Sequence, residues 1–286
     1  MADLGELLTL QHVSEKRFRT CHGQANRNGA VYGGQLLGQA LGAAQILMDG
    51  SAKIVHVMQA CFENAADATK DINYLVEPVL DGSSESLLRV RAEQNGETVL
   101  TANIAFGLRR DGFTHASRWT ETPPMPEDLP SLSQLLDELG DELSVHGRSR
   151  TRTYPQVEVR PIDARRHLLA ASGFPRSEFW IRSVPVVSKV PLPAAGVLAY
   201  LSDYLAVNAA LAGHVPELPE RPMFVASLNH SIWFHTVPAP GDWLYHELES
   251  PWAGGGRALC LGRIYSRTGI LQATVAQETL IGVRRD

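Results

Sequence analysis

Three polar side chains far apart in the chain, Asp203, Ser227 and Gln277, stand in segments that are otherwise apolar. Asp203 falls early in a helix candidate, Ala194–Ala212, built on Leu198, Leu201, Leu205, Ala206, Val207 and Leu211. A carboxylate on a largely buried helix is costly unless it is paired or hydrogen-bonded. Gln277 shares its strand parity with Leu271, Ala273, Val275, Thr279 and Ile281, so its amide points inward. Ser227 lies in a run that is apolar on both parities, and its face cannot be assigned. A carboxylate can take a proton from water, and an amide or a hydroxyl can orient one. Each residue also has a plain structural reading: a polar helix-start position, an inward Gln bonding backbone, an ordinary strand Ser. No histidine at a suggestive spacing marks Ser227 as a nucleophile, and the G-x-S-x-G elbow is absent. Ser227 is therefore read as positioning a water or the Gln277 amide.

A second constellation is Tyr32-Gly33-Gly34-Gln35, at the start of another helix candidate. A helix N-terminus presents free N–H groups and the positive end of its dipole, and glycines let a ligand approach that backbone. Close helix packing is the competing use of the same glycines. Pro251-Trp252-Ala253-Gly254-Gly255-Gly256 lacks the Lys-Ser/Thr of a phosphate loop and reads as a hairpin turn. Arg257 and Arg263 beside it are candidates for meeting phosphates. His230 and His235 lie five residues apart in a strand and so point to opposite faces, and no H-E-x-x-H occurs; no metal is expected.

The elements that must position these groups occur twice. In the first half a small-residue helix from Gly34 to Met48 precedes strand-like runs at Lys53–Asn64, Asp71–Leu80, Ser86–Gln94 and Thr98–Leu108. In the second, runs at Gln156–Ile162 and Glu178–Val184 precede the Ala194–Ala212 helix. Four more follow at Arg221–Val237, Trp243–Ser250, Ala258–Ser266 and Ile270–Val283. The closing hairpins match, with Asn95-Gly96 and Thr268-Gly269 as their turns. Between the halves, TETPPMPEDLP (Thr120–Pro130) is a connector, followed by a short amphipathic helix on Leu132, Leu135, Leu136, Leu139 and Leu143 and a loop, Gly147–Thr153. The expected domains are residues 1–116, a linker over 117–153, and 154–286. The fold class is α+β, a duplicated unit of one long helix on an antiparallel sheet. Pairing the repeats sets Asp203 against Gln35, Ser227 against Val55 and Gln277 against Phe106, which predicts one active site per chain.

The 286 residues are 44% hydrophobic and 20% charged, enough for a substantial core. A net charge of −5 argues against a broad nucleic-acid-binding surface. Cys21, Cys61 and Cys260 form no C-x-x-C pair and read as free, buried thiols in a reducing compartment. The N-terminal stretch carries early acids and no long apolar core, so no signal peptide is expected, and no run approaches the ~20 apolar residues of a membrane span. A cytoplasmic location is the expectation.

The residues resemble the acyl-CoA thioesterase II (TesB-type) family of double-hotdog enzymes. The resemblance rests on VYGGQLLGQAL (Val31–Leu41), Asp81-Gly82 with Ser84, and Gln94–Gly96 in the first half. In the second it rests on WIRS (Trp180–Ser183), LAYLSDYLAV (Leu198–Val207), SLNHSIWFH (Ser227–His235) and ATVAQETLI (Ala273–Ile281). It implies a tandem hotdog, each sheet wrapped round its helix, and hydrolysis of acyl-CoA by an activated water. Asp203, Ser227 (in place of the family's threonine) and Gln277 would be the catalytic residues, with no cofactor beyond the coenzyme A of the substrate. Gly33, Gly34 and Gln35 would face the carboxylate and polarise the thioester carbonyl. Arg257 and Arg263 would meet the CoA, and a homo-oligomer is expected. The chain departs from the family at Cys61–Ala66, where a Phe–Leu–Arg–Pro–Gly-like stretch is usual, and at Ser84–Arg91, which bears on acyl-chain or CoA preference. Two other functions fit the same fold: a non-catalytic acyl-CoA or lipid binder, and an enoyl-CoA hydratase. The second would need an Asp–His run like Asp141–His146, which here lacks the Asn and Pro and lies in the linker.

Overall fold

A computed structural model of the chain describes residues 2–20, 22–26, 28–150, 153–184, 193–219 and 223–283. In chain order, its first elements are α1 (Leu4–Leu8), β1 (Leu10–Ser14), β2 (Arg17–Thr20), α2 (Gly33–Leu47), β3 (Ile54–Phe62), β4 (Asn73–Asp81), β5 (Glu85–Gln94) and β6 (Glu97–Gly107). Next come α3 (Leu132–Leu139), α4 (Val145–Arg150), β7 (Val157–Pro161), α5 (Ala164–His167) and β8 (Arg176–Ser183). The last are α6 (Ala194–Ser202), α7 (Ala206–Ala212), β9 (Met223–Phe234), β10 (Leu244–Gly254), β11 (Arg257–Ser266) and β12 (Leu271–Val283). They fall into two compact units, each discontinuous in sequence: residues 1–116, 185–203 and 229–240, and residues 117–184, 204–228 and 241–286.

In the first unit the strands run in the order β1-β2-β4-β5-β6-β3, and Asn229–Trp233 of β9 pairs antiparallel with Val57–Cys61 of β3. Helix α2 lies on this sheet. It is apolar or small on every side, so almost every residue from Gly34 to Ala44 is buried, as expected of a central helix. An amide on it is satisfied inside: Gln39 donates to the Leu7 carbonyl and to Thr20 Oγ1 and accepts from the Tyr74 hydroxyl, each at 2.6 Å. Helix α6 packs against α2 in the opposite direction. A methyl on Gly34 would stand 2.4 Å from the Tyr200 carbonyl oxygen, and one on Gly38 would stand 2.9 Å from that of Gly196. Only glycine permits this approach. The β5–β6 turn holds Asn95 and Gly96 at positive φ, 54° and 85°, as its sequence requires.

In the second unit the order is β12-β11-β10-β8-β7, antiparallel throughout, and Ser227 of β9 meets Gln277 of β12. Helix α7 covers β8, β10 and β11. A second core gathers Trp180, Tyr245 and Tyr265 around Trp119. Pro251–Gly256 is a hairpin: β10 runs to Gly254, and Gly255 and Gly256 turn at φ 55° and 76°.

Several expectations need correction. The Ala194–Ala212 helix is broken: α6 ends at Ser202, and Leu205 adopts a left-handed φ of 53° before α7 begins. Asp203 therefore follows the end of α6 and does not lie early in a helix. Gln35 lies in the first turn of α2 whereas Asp203 follows the end of α6, so the two do not hold equivalent places in the repeat. That same stretch is apolar over 19 residues, but it is broken and most of it is buried inside the fold, as in a core helix. Part of the expected loop Gly147–Thr153 is helical, as α4; residues 151–152 lie outside the described residues, as do Cys21 and the Arg221 start of the β9 run. Cys61 is exposed where burial was expected, because it lies on the outward parity of β3; Cys260 is buried.

Candidate active site

The end of α6 brings Asp203 to the start of α2. The residue is about nine-tenths buried, and Oδ2 would stand only 2.8 Å from a methyl placed on Gly33, with the Phe62 ring edge at 3.2 Å on the same side. Gly33 is the first residue of α2, and the preceding Tyr32 provides no side-chain cap. The Tyr32 hydroxyl instead donates to the Tyr200 carbonyl (3.2 Å), and its ring meets Tyr200 edge-on, which ties the two helices together beside the carboxylate. A helix N-terminus has orphan N–H donors, and here glycine leaves space over them. The adjoining Ser202 hydroxyl bonds the Ala199 carbonyl (2.8 Å) and lies 2.9 Å from Nε2 of the fully buried His230. This polar contact accounts for His230 as a structural residue that braces the turn carrying Asp203.

Ser227 and Gln277 meet within the second unit. The Gln277 amide donates to Ser227 Oγ at 2.7 Å. Gln277 is buried, as its parity required, and Ser227 is half-buried. The contact fixes the amide's roles: with Nε2 committed to Ser227, Oε1 is the acceptor end, and the serine hydroxyl keeps its own proton to donate. Opposite Gln277 on β11 is Cys260. Burial pushes its thiol up to about 11, so it stays protonated and is no thiolate nucleophile. Among the described residues no three of His, Cys, Asp and Glu cluster as a metal site.

Family models for the N-terminal and C-terminal domains of acyl-CoA thioesterases match residues 22–107 and 125–281. The chain is 30% identical to acyl-coenzyme A thioesterase 8 of Mus musculus, over 97% of this chain and 88% of that protein. It is also 30% identical to acyl-CoA thioesterase 2 of Haemophilus influenzae, over 98% and 96%. The chain belongs to the TesB-type acyl-CoA thioesterase family. Among solved structures, the acyl-CoA thioesterase II TesB2 from Mycobacterium marinum superposes with a TM-score of 0.77 at 29% identity, covering 98% of each chain. A hot dog fold protein from Alicyclobacillus acidocaldarius gives 0.73 at 18% identity. The fold of this thioesterase is a double hotdog.

The remaining residues picked out from the sequence have partners in the thioesterase chain itself. Gln35 is fully buried, accepting from the Gln24 N–H (2.7 Å) and donating to the His22 carbonyl (2.6 Å), so its amide straps the segment before α2. Gly34 supports the α2–α6 approach. Arg263 lies 3.2 Å from the buried Glu247 carboxylate, which Arg176 flanks at 3.1 Å from the other side. Arg257 is half-exposed, 3.5 Å from Glu278. Sequence reasoning passed over Tyr200, whose hydroxyl donates to Gln24 Oε1 (2.7 Å) and whose carbonyl receives Tyr32. Its position one turn before Asp203 was the available signal.

Proposed function

We propose that this protein hydrolyses the thioester of acyl-CoA to a free fatty acid and CoA, with Asp203 as general base and Ser227 and Gln277 orienting the attacking water. The observation that carries the reading is the buried Asp203 carboxylate set over Gly33, at the start of a helix that no side chain of Tyr32 caps. Thioester hydrolysis asks for these two things side by side: a base for the water and N–H donors for the oxygen that becomes negative. In this reading the thioester carbonyl oxygen meets the α2 N-terminus at Gly33 and Gly34. Water, held by the Ser227–Gln277 pair, gives a proton to Asp203 as its oxygen bonds the carbonyl carbon. The tetrahedral adduct then expels the CoA sulfur, and the proton on Asp203 goes to that thiolate. No covalent acyl-enzyme and no cofactor enter the scheme.

Arg257 and Arg263 remain proposed CoA contacts, which they would make while keeping their carboxylate partners. A reducing, cytoplasmic setting is supported by the free thiols of Cys61 and Cys260, and a homo-oligomer by the tendency of hotdog units to pair. The names of the relatives support the substrate class.

The test is release of free thiol from acyl-CoA by the purified chain and by Asp203→Asn. Loss of a general base costs ~10²–10⁴-fold in rate, so the variant should be nearly silent while its melting temperature holds. Equal, slow release by both proteins would point to a binder without catalysis and overturn the reading.

A further inference from the structure

The first unit contains a cleft at the opposite end of α2 from Gly33, about 20 Å away at 1.5 Å per residue. Its volume is about 590 Å³, within the range of ~300–1,000 Å³ usual for small-molecule sites. Its walls come from Met48 at the end of α2, Val55 on β3, Phe106 on β6, Phe234 on β9, and Ala194 and Ala195 at the start of α6.

The position repeats the geometry of the other helix start. The repeat pairs Ser227 with Val55 and Gln277 with Phe106, and Val55 and Phe106 are direct cross-strand partners, both buried. At these two places the serine and the glutamine of the second unit give way to Val and Phe. Neither side chain can deprotonate or orient a water, and the floor they form is apolar. The start of α6 nevertheless borders the cleft, and no side chain of its N-cap residue Pro193 closes it.

Polar groups remain at the edges. Among the described residues, Thr236 Oγ1 and Gln45 Oε1 are buried without a hydrogen-bond partner, and both residues line the cleft. Such atoms cost free energy unless something meets them. Of the charged lining residues, Lys53 is committed to the Gly82 carbonyl, Ser86 and Asp81, and Asp49 accepts from the Gly50 N–H. Arg109 is exposed and forms no ion pair among the described residues. His235 completes the polar rim. An aliphatic floor, a helix N-terminus, a hydroxyl and a guanidinium together match a chain with one anionic head.

We propose that this cleft is a second, non-hydrolytic site that binds a free fatty carboxylate, its head toward the α6 start and Arg109 and its chain over Val55, Phe106 and Phe234. The ligand class follows from the lining and goes beyond the hydrolysis proposed above.

The experiment is calorimetric titration of sodium decanoate into the full chain and into three variants, Asp203→Asn, Arg109→Glu and Val237→Asp, with thiol release measured in parallel. Arg109 and Val237 are exposed lining residues, so both substitutions should leave melting temperature and hydrolysis unchanged. Wild type and Asp203→Asn should bind decanoate alike, and Arg109→Glu and Val237→Asp should weaken it at least tenfold. Absence of binding to wild type overturns the proposal. So does binding that ignores both rim variants and competes with substrate. Decanoyl-CoA filling the cleft of Asp203→Asn while decanoate does not would also overturn it. Decanoate binding in a wild type that releases no thiol would sink the hydrolytic reading and leave this one standing.

Discussion

At the scale of single residues, the arrangement around Asp203 depends on what Gly33 lacks. A methyl there would reach within 2.8 Å of the carboxylate oxygen and 3.2 Å of Phe62. Gly33→Ala should therefore displace the base and block the space over the helix start, while alanine in the first turn of α2 costs the fold little. We expect thiol release to fall by at least tenfold with the melting temperature within a degree or two; unchanged activity would show that Asp203 does not act at this position. The sequence disclosed these residues unevenly. Gln277 betrayed its inward face by parity, because its strand alternates. Ser227 could not, since its neighbours in β9 are apolar on both parities and the residue is only half-buried. Its hydrogen bond to Gln277 joins residues 50 apart in the chain and leaves no local trace.

At the scale of elements, the α2–α6 contact explains two of the four glycines in α2. Gly34 and Gly38 meet the α6 backbone, whereas nothing lies within 4 Å of a methyl on Gly42. Alanine is favoured over glycine in a helix interior by about 1 kcal/mol, but overpacking against a rigid carbonyl costs about 1–3 kcal/mol. Gly34→Ala and Gly38→Ala should thus lower the melting temperature by several degrees, and Gly42→Ala should hold or raise it. Thermal melts of the three variants check the contrast; equal effects would mean that the helices can slide apart. Most strands were legible within two or three residues, since their alternation and turn glycines are strong local signals. The N-terminal α1, β1 and β2 were not, being four or five residues long, with β1 exposed along nearly its whole length. The break at Leu205 was hidden for a different reason: a left-handed leucine carries none of the Gly or Asn chemistry that announces such a backbone.

At the scale of the molecule, the second unit stores acid sensitivity. His167 and His246 are buried beside Phe179, and among the described residues His246 has no hydrogen-bond partner for either ring nitrogen. Burial lowers them to about 4 and about 3 respectively, from 6.5. Between these values and 6.5 the unfolded chain binds protons that the folded chain does not. Stability is therefore full above pH 6.5 and falls as the pH drops. By pH 5 the loss is on the order of 2 kcal/mol for each ring. Melting curves from pH 7.5 to 4.5 should show this decline, and His246→Leu should flatten it; an identical slope in the variant would remove His246 as a cause.

Strand β9 has a further consequence, because its residues are divided between the two units. A fragment ending at Ala116 would keep α2 and β3 but lose the strand that covers β3 and the helix that packs on Gly34 and Gly38. An uncovered strand edge invites pairing with other chains. A chain cut at the connector is thus expected to aggregate, and neither piece could be moved alone into another protein as a module.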